Sequence, residues 1–128
     1  LNYAEAQNEA SGPDASVYDA INQVRARSGQ PPLSGLSQTD LRDRIRNERR
    51  VELSFEEHRF FDVRRWKLGQ TYFKEPARKV QIVKLGNGTF LYSYPKWEDR
   101  DYKDFQNFLP IPQSEVDRNG KLVQNTGY

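Results

Sequence analysis

Glu48, Glu52 and Arg59 are the residues of this 128-residue chain whose types and spacing most invite a chemical reading, with Glu56 and Asp62 at their margins. Counted at about 100° per residue from Leu41, the positions Leu41, Ile45, Glu48, Glu52, Phe55, Arg59, Val63 and Trp66 fall within about 40° of one helical line. Charged side chains therefore share a stripe with large apolar ones. Two carboxylates four residues apart lie on one helix face, where they could act as a general acid and base or as metal ligands. The structural alternative is a buried ionic network, and the arginine inside the stripe favours it, because buried charge must be paired. Glu-x-x-His and His-Glu-x-x-His are both absent, so the metal sites built on those spacings are excluded. Glu48, Glu52, Arg59 and Asp62 are accordingly expected to form a structural network, with no catalytic residue, metal or cofactor assigned.

Other candidates are weaker. His58, the single histidine, lies off the stripe, and no Gly-x-Ser-x-Gly elbow surrounds any serine. Gly86-Asn87-Gly88 is followed by a strand-like segment rather than a helix, so it does not read as a phosphate loop. The chain has no cysteine, and with it no disulfide or zinc-thiolate site. Basic residues gather between Arg42 and Lys67, but six acids from Asp43 to Asp62 interrupt them, and the net charge is only +2. A nucleic-acid partner would want a stripe of one sign. Tyr92, Tyr94, Trp97 and Tyr102 cluster in a Gly- and Pro-flanked region. Strand alternation puts Tyr92 and Tyr94 on one face, and Pro95 turns the chain toward Trp97, so these three rings are the candidate ligand platform. A pyranose packs its C–H face on such rings, and the competing reading packs them into the core beneath a hairpin.

The elements that must carry these residues follow from periodicity. Charged residues at 30% and a mean hydropathy of −0.97 make the chain polar, yet aromatics at 12% argue for a folded core. Its longest apolar run, Phe90-Leu91-Tyr92, is far short of the roughly 20 residues that cross a bilayer. Leu1 is not an initiator and no signal peptide follows, so the start reads as a cut or processed end. Residues 1–28 read as a helical hairpin turning at Ser11-Gly12-Pro13-Asp14, with Val17, Ala20, Ile21 and Val24 at helical spacing and Gly29 as C-cap. Ser37 and Asp40 resemble a capping box that opens one long helix over 37–68. Two strand-like segments around Gly86-Asn87-Gly88 predict a β-hairpin over 80–94, residues 96–107 receive no firm structure, and Leu109-Pro110-Ile111-Pro112 must be extended. The fold class expected is mainly α, in one domain over 1–128.

Ile21 to Gly29, and far more the stretch from Ile45 through Glu48-Arg49-Arg50-Val51-Glu52 to Phe60-Phe61-Asp62-Val63-Arg64-Arg65-Trp66, resemble the SusD/RagB family. Leu109-Pro110-Ile111-Pro112-Gln113-Ser114-Glu115-Val116-Asp117 and Gln124-Asn125-Thr126-Gly127-Tyr128 are similar to that family's C-terminal signature over 108–128. The resemblance implies the C-terminal portion of a longer outer-membrane, surface-exposed nutrient-binding lipoprotein, with a lipid anchor missing from this chain. It implies a tetratricopeptide-like helical scaffold with a small C-terminal β-hairpin. Capture of a glycan or other nutrient and delivery to a TonB-dependent, SusC-like outer-membrane channel, without catalysis, are implied as well. The reading from another class is a helical protein-interaction module that grips a peptide or partner protein. A glycan hydrolase ranks third, since two carboxylates on one helix supply no open cleft.

Overall fold

Helix ends in the first half of the chain are fixed by side chains that replace the backbone bonds a helix terminus lacks. In the computed structural model, which describes residues 1–128, α1 (Asn2–Ser11) and α2 (Ala15–Arg27) are separated by Gly12-Pro13-Asp14. Gly12 turns the chain at φ 83°, and its N–H donates to the Asn8 carbonyl. Asp14 caps α2 by accepting from the Val17 N–H at 3.0 Å and the Ser16 hydroxyl at 2.6 Å, while Gln7 on α1 donates to its other oxygen. At the far end Gly29, at φ 68°, lets the Gln30 N–H reach the Arg25 carbonyl. α3 (Gln38–Glu52) opens at Ser37, whose hydroxyl oxygen accepts from the Asp40 N–H.

The chain divides into two compact units, Leu1–Arg59 and Phe60–Tyr128. In the first, α1 packs on α2 and on α3 around Ala4, Val17, Ile21, Leu41 and Ile45, all fully buried. Prolines deny the 30–36 connector a regular ladder, and α2 side chains hold it instead. Asn22 exchanges two hydrogen bonds with the Leu33 backbone, and the Tyr18 hydroxyl both donates to and accepts from Leu36.

The single helix expected over 37–68 is two helices. α3 ends at Glu52 and α4 (His58–Arg65) follows a broken stretch in which Phe55 and Glu57 take left-handed φ values of 66° and 62°. Each such non-glycine residue costs roughly 1 kcal/mol. The local cause is Ser54, whose hydroxyl donates to the carbonyls of Arg50 and Val51 at 2.8 Å and so offers them an alternative to the helical ladder. Phe55, placed on the apolar line by the angular count, is fully exposed.

The second unit carries α5 (Gly69–Tyr72), four short strands, a 3-10 turn at Asp104–Asn107 and α6 (Gln113–Arg118). β2 (Gln81–Lys84) and β3 (Phe90–Ser93) form an antiparallel hairpin pairing Ile82 with Tyr92 and Lys84 with Phe90, closed by Gly88 at φ 83°. β1 (Ala77–Arg78) and β4 (Lys96–Glu98) add a second antiparallel pair from residues the sequence leaves unassigned. The two pairs are separated at Pro95, which has no N–H to donate to a ladder but accepts from the Lys79 N–H at 3.1 Å.

The Asp14 cap carries a pH expectation. Hydrogen bonds from Ser16 first, then Gln7 and the Val17 N–H, hold its carboxyl down at about 2. Because the folded value lies below the unfolded one, the stabilisation is complete above about pH 4 and is lost as pH falls through about 2. Asp14→Ala should lower the melting temperature at neutral pH and flatten the decline in this window. Parallel wild-type and variant melting curves across it would refute the assignment.

Candidate functional site

The two glutamates expected on one stripe are paired in the structure, each with an arginine of another helix. Glu48, buried, accepts from Arg25 of α2 at 2.7 Å, and Glu52 from Arg27 of the same helix. The neighbouring Arg49, also buried, turns the other way, donating to Asn2 at 2.5 Å and standing 3.6 Å from Glu5, both on α1. α3 is thereby tied to α2 through Glu48 and to α1 through Arg49. At the exposed edge Arg42 forks onto Glu9 at 2.6 and 2.7 Å, and this hydrogen bonding holds the Glu9 carboxyl below and the Arg42 guanidinium above their ordinary ranges. Glu48 and Glu52 thus both face α2. Arg59 stands half-buried on the first turn of α4, beyond the 53–57 break, and buried Asp62 accepts from Arg65 at 2.8 Å. A helix break is invisible to an angular count, and so is a partner on another helix.

The second unit is organised around Arg64. Its guanidinium lies 3.5 Å from the Phe60 ring centroid, 5.1 Å from that of Phe73 and 5.9 Å from that of Tyr102. Its Nε donates to the Gln106 carbonyl at 3.0 Å and its Nη1 to the Phe60 carbonyl at 3.2 Å. Tyr102 is buried against Gly69, with its hydroxyl donating to Asn107 at 3.1 Å, and burial pushes its phenol above the ordinary range. Residues 108–111 are held by side chains as well. Gln124 accepts from the Ile111 N–H and donates to its carbonyl, both at 2.8 Å, Asn125 donates to the Leu109 carbonyl, and the Tyr128 hydroxyl to that of Phe108. The two C-terminal motifs of the sequence are thus one clasp, in which amides stand in for the ladder that prolines forbid.

Tyr92, Tyr94 and Trp97 are 56%, 59% and 66% exposed, so none of them packs into a core. Tyr92 is on β3 and Trp97 on β4, and the Lys79 ammonium lies 5.0 Å from the Trp97 centroid. Tyr102, grouped with them by sequence, belongs to the interior instead.

Two concavities are lined by residues of interest. One, in the first unit, is lined by Leu1, Tyr3, Val24, Arg49, Leu53 and His58. The other, of about 410 Å³, lies wholly in the second unit between the end of α4 and residues 107–109. Phe61, Phe108 and Leu109 give it apolar walls, and Arg64, Arg65 and Lys67 line it with cations. Lys67 occupies the position that closes α4, at φ 56°, where the Leu68 N–H reaches back to the Val63 carbonyl. Glycine is the residue that position favours. Sequence reading passes over this cleft because it treats the basic run as a solvated helix face. No group of three or more His, Cys, Asp or Glu converges where a metal ion could be held, and no helix is long and apolar enough to cross a membrane.

The model of the SusD family matches residues 1–128. SusD-like protein P2 of Formosa agariphila is 35% identical over 98% of this chain, and SusD-like protein P25 of the same organism 42% identical over 100%. The chain spans 23% of the length of each of these relatives. A crystal structure of a SusD-like protein from Bacteroides fragilis superposes over 99% of this chain and 24% of that one, with a TM-score of 0.82 and 38% identity.

Proposed function

Because this chain belongs to the SusD family, whose members are nutrient- and glycan-binding proteins rather than enzymes, we propose that it is the C-terminal part of a non-catalytic glycan-binding lipoprotein of the outer cell surface. In this reading it works beside a TonB-dependent, SusC-like channel to which the captured glycan is passed. The observation that supports the reading most is the family match across all of residues 1–128. Tyr92, Tyr94 and Trp97 are the proposed stacking platform, supported by their exposure, since an exposed ring can meet the C–H face of a sugar without unpacking anything.

The test is titration with candidate glycans while following tryptophan fluorescence. Trp97 should report binding, with half-buried Trp66 as an internal reference. Trp97→Ala should abolish the signal and weaken affinity by about fivefold, the equivalent of about 1 kcal/mol for one stacked ring. Its melting temperature should stay at the wild-type value, because the ring is 66% exposed. Unchanged fluorescence at high glycan concentration, with lowered thermal stability of the variant, would assign Trp97 to packing and end the platform.

A further inference from the structure

We infer that the cleft between the end of α4 and residues 107–109 holds the acidic group of a charged sugar, a uronate carboxylate or a sulfate ester. This inference rests on the glycan-binding reading above and names the ligand class at a second place. The cleft's volume of about 410 Å³ lies within the range of small-molecule sites, about 300–1,000 Å³. Phe61 and Phe108 line it and are 56% and 62% exposed, which leaves ring surface for a pyranose face. Arg64, Arg65 and Lys67 line the same cleft and no carboxylate does.

The charge balance decides the sign of the ligand. Asp62 is buried and its carboxylate is engaged by Arg65. The lining itself carries three cations and no carboxylate, and the carbonyl end of α4 offsets only about half a charge. The surplus is positive. Arg64 is held in place before any ligand arrives, by its bonds to the Gln106 and Phe60 carbonyls and its stacking on Phe60, so little side-chain freedom remains to be lost on binding. Lys67 supplies an independent observation. It keeps a long cationic side chain at a left-handed position that glycine would occupy without strain, and strained positions of this kind gather at functional sites.

The bland alternative is that the cations merely complement the helix terminus. Lys67→Gly separates the two, because it removes the ammonium while relaxing the backbone. In the full-length protein, calorimetric titrations would use an oligogalacturonate, its fully methyl-esterified counterpart and a sulfated galactan oligosaccharide. At least one acidic probe should bind about tenfold tighter than the neutral ester, and the preference should shrink as salt is raised. Whichever acidic probe binds more tightly identifies carboxylate or sulfate as the group held. Lys67→Gly should weaken the acidic probe about fivefold, leave the neutral one unchanged and keep or raise the melting temperature. Equal binding of acid and ester, or a Lys67→Gly variant with an unchanged acid-to-neutral ratio, overturns the inference while the glycan reading stands. Absence of binding by every probe overturns the inference alone, since the glycan reading has its own test with other candidate glycans. If another segment of the protein fills the cleft, Phe108→Ala would lower the melting temperature sharply without changing the ratio, and that result also overturns it.

Discussion

Replacing Glu48 with alanine should destabilise the Leu1–Arg59 unit by about 3 kcal/mol, because the change strands the Arg25 guanidinium in a site with little access to water. The two side chains are 9% and 14% exposed, and they meet at 2.7 Å. Arg25 cannot simply swing away, since its Nε also donates to the Pro31 carbonyl at 2.9 Å. The comparison that isolates burial is Glu52→Ala on the same helix. Its partner Arg27 is 70% exposed, so that loss should stay under about 1 kcal/mol. Joint replacement by Arg25→Met and Glu48→Leu should recover most of the deficit, since well-packed apolar pairs often match a buried ion pair. Urea unfolding of the three variants beside the wild type measures this. Equal costs for Glu48→Ala and Glu52→Ala would show that burial is not what makes the inner pair matter.

Gly69→Ala should be destabilising by about 2–3 kcal/mol, although alanine in an α-helix ordinarily gains about 1 kcal/mol over glycine. A Cβ at Gly69 would fall 1.9 Å from Cε1 and 2.1 Å from Cζ of Tyr102. That ring has nowhere to retreat. It is 5% exposed, its centroid lies 5.5 Å from that of Phe73, and its hydroxyl is bound to Asn107. The sign of the effect is therefore the measurement, and a thermal melt suffices to read it. Combined with Tyr102→Ala, the Gly69→Ala change should cost far less than it does alone, which a double-mutant cycle would register as a coupling above about 1 kcal/mol. A Gly69→Ala protein more stable than wild type would mean that the ring does not sit where the structure has it.

How far the sequence could be read depends on whether the deciding interaction is local. Asp14 and Ser37 declare their caps because the N–H each one satisfies lies three residues ahead, and Val17 and Ile21 declare a buried face by spacing alone. The Gly86-Asn87-Gly88 turn is similarly legible between two runs of strand-forming residues. The break after Glu52 is not, because the periodic count runs on through Ser54, whose hydroxyl competes for helix carbonyls without altering hydropathy. β1 and β4 are two and three residues long, too short for any alternation to emerge. The glutamates of α3 were recognisable as needing partners, whereas Arg25 and Arg27 become those partners only once α2 is packed. The candidate cleft escaped for the same reason. Phe61 and Phe108 are far apart in sequence, and the left-handed backbone at Lys67 is a property of the helix end, not of lysine.

The amide clasp on residues 108–111 bears on how quickly this part of the chain finds its conformation. Its two bonds to Ile111 and the one to Leu109 join residues 13 and 16 apart in sequence, whereas Arg49 and Asn2 in the other unit are 47 apart. Loop-closure entropy grows as the logarithm of that separation, so the longer tie costs about 1 kcal/mol more to close. Loops of about ten residues close within about 100 ns. After a transient opening, the clasp can reseal from its own neighbourhood without waiting for the three-helix unit to reassemble.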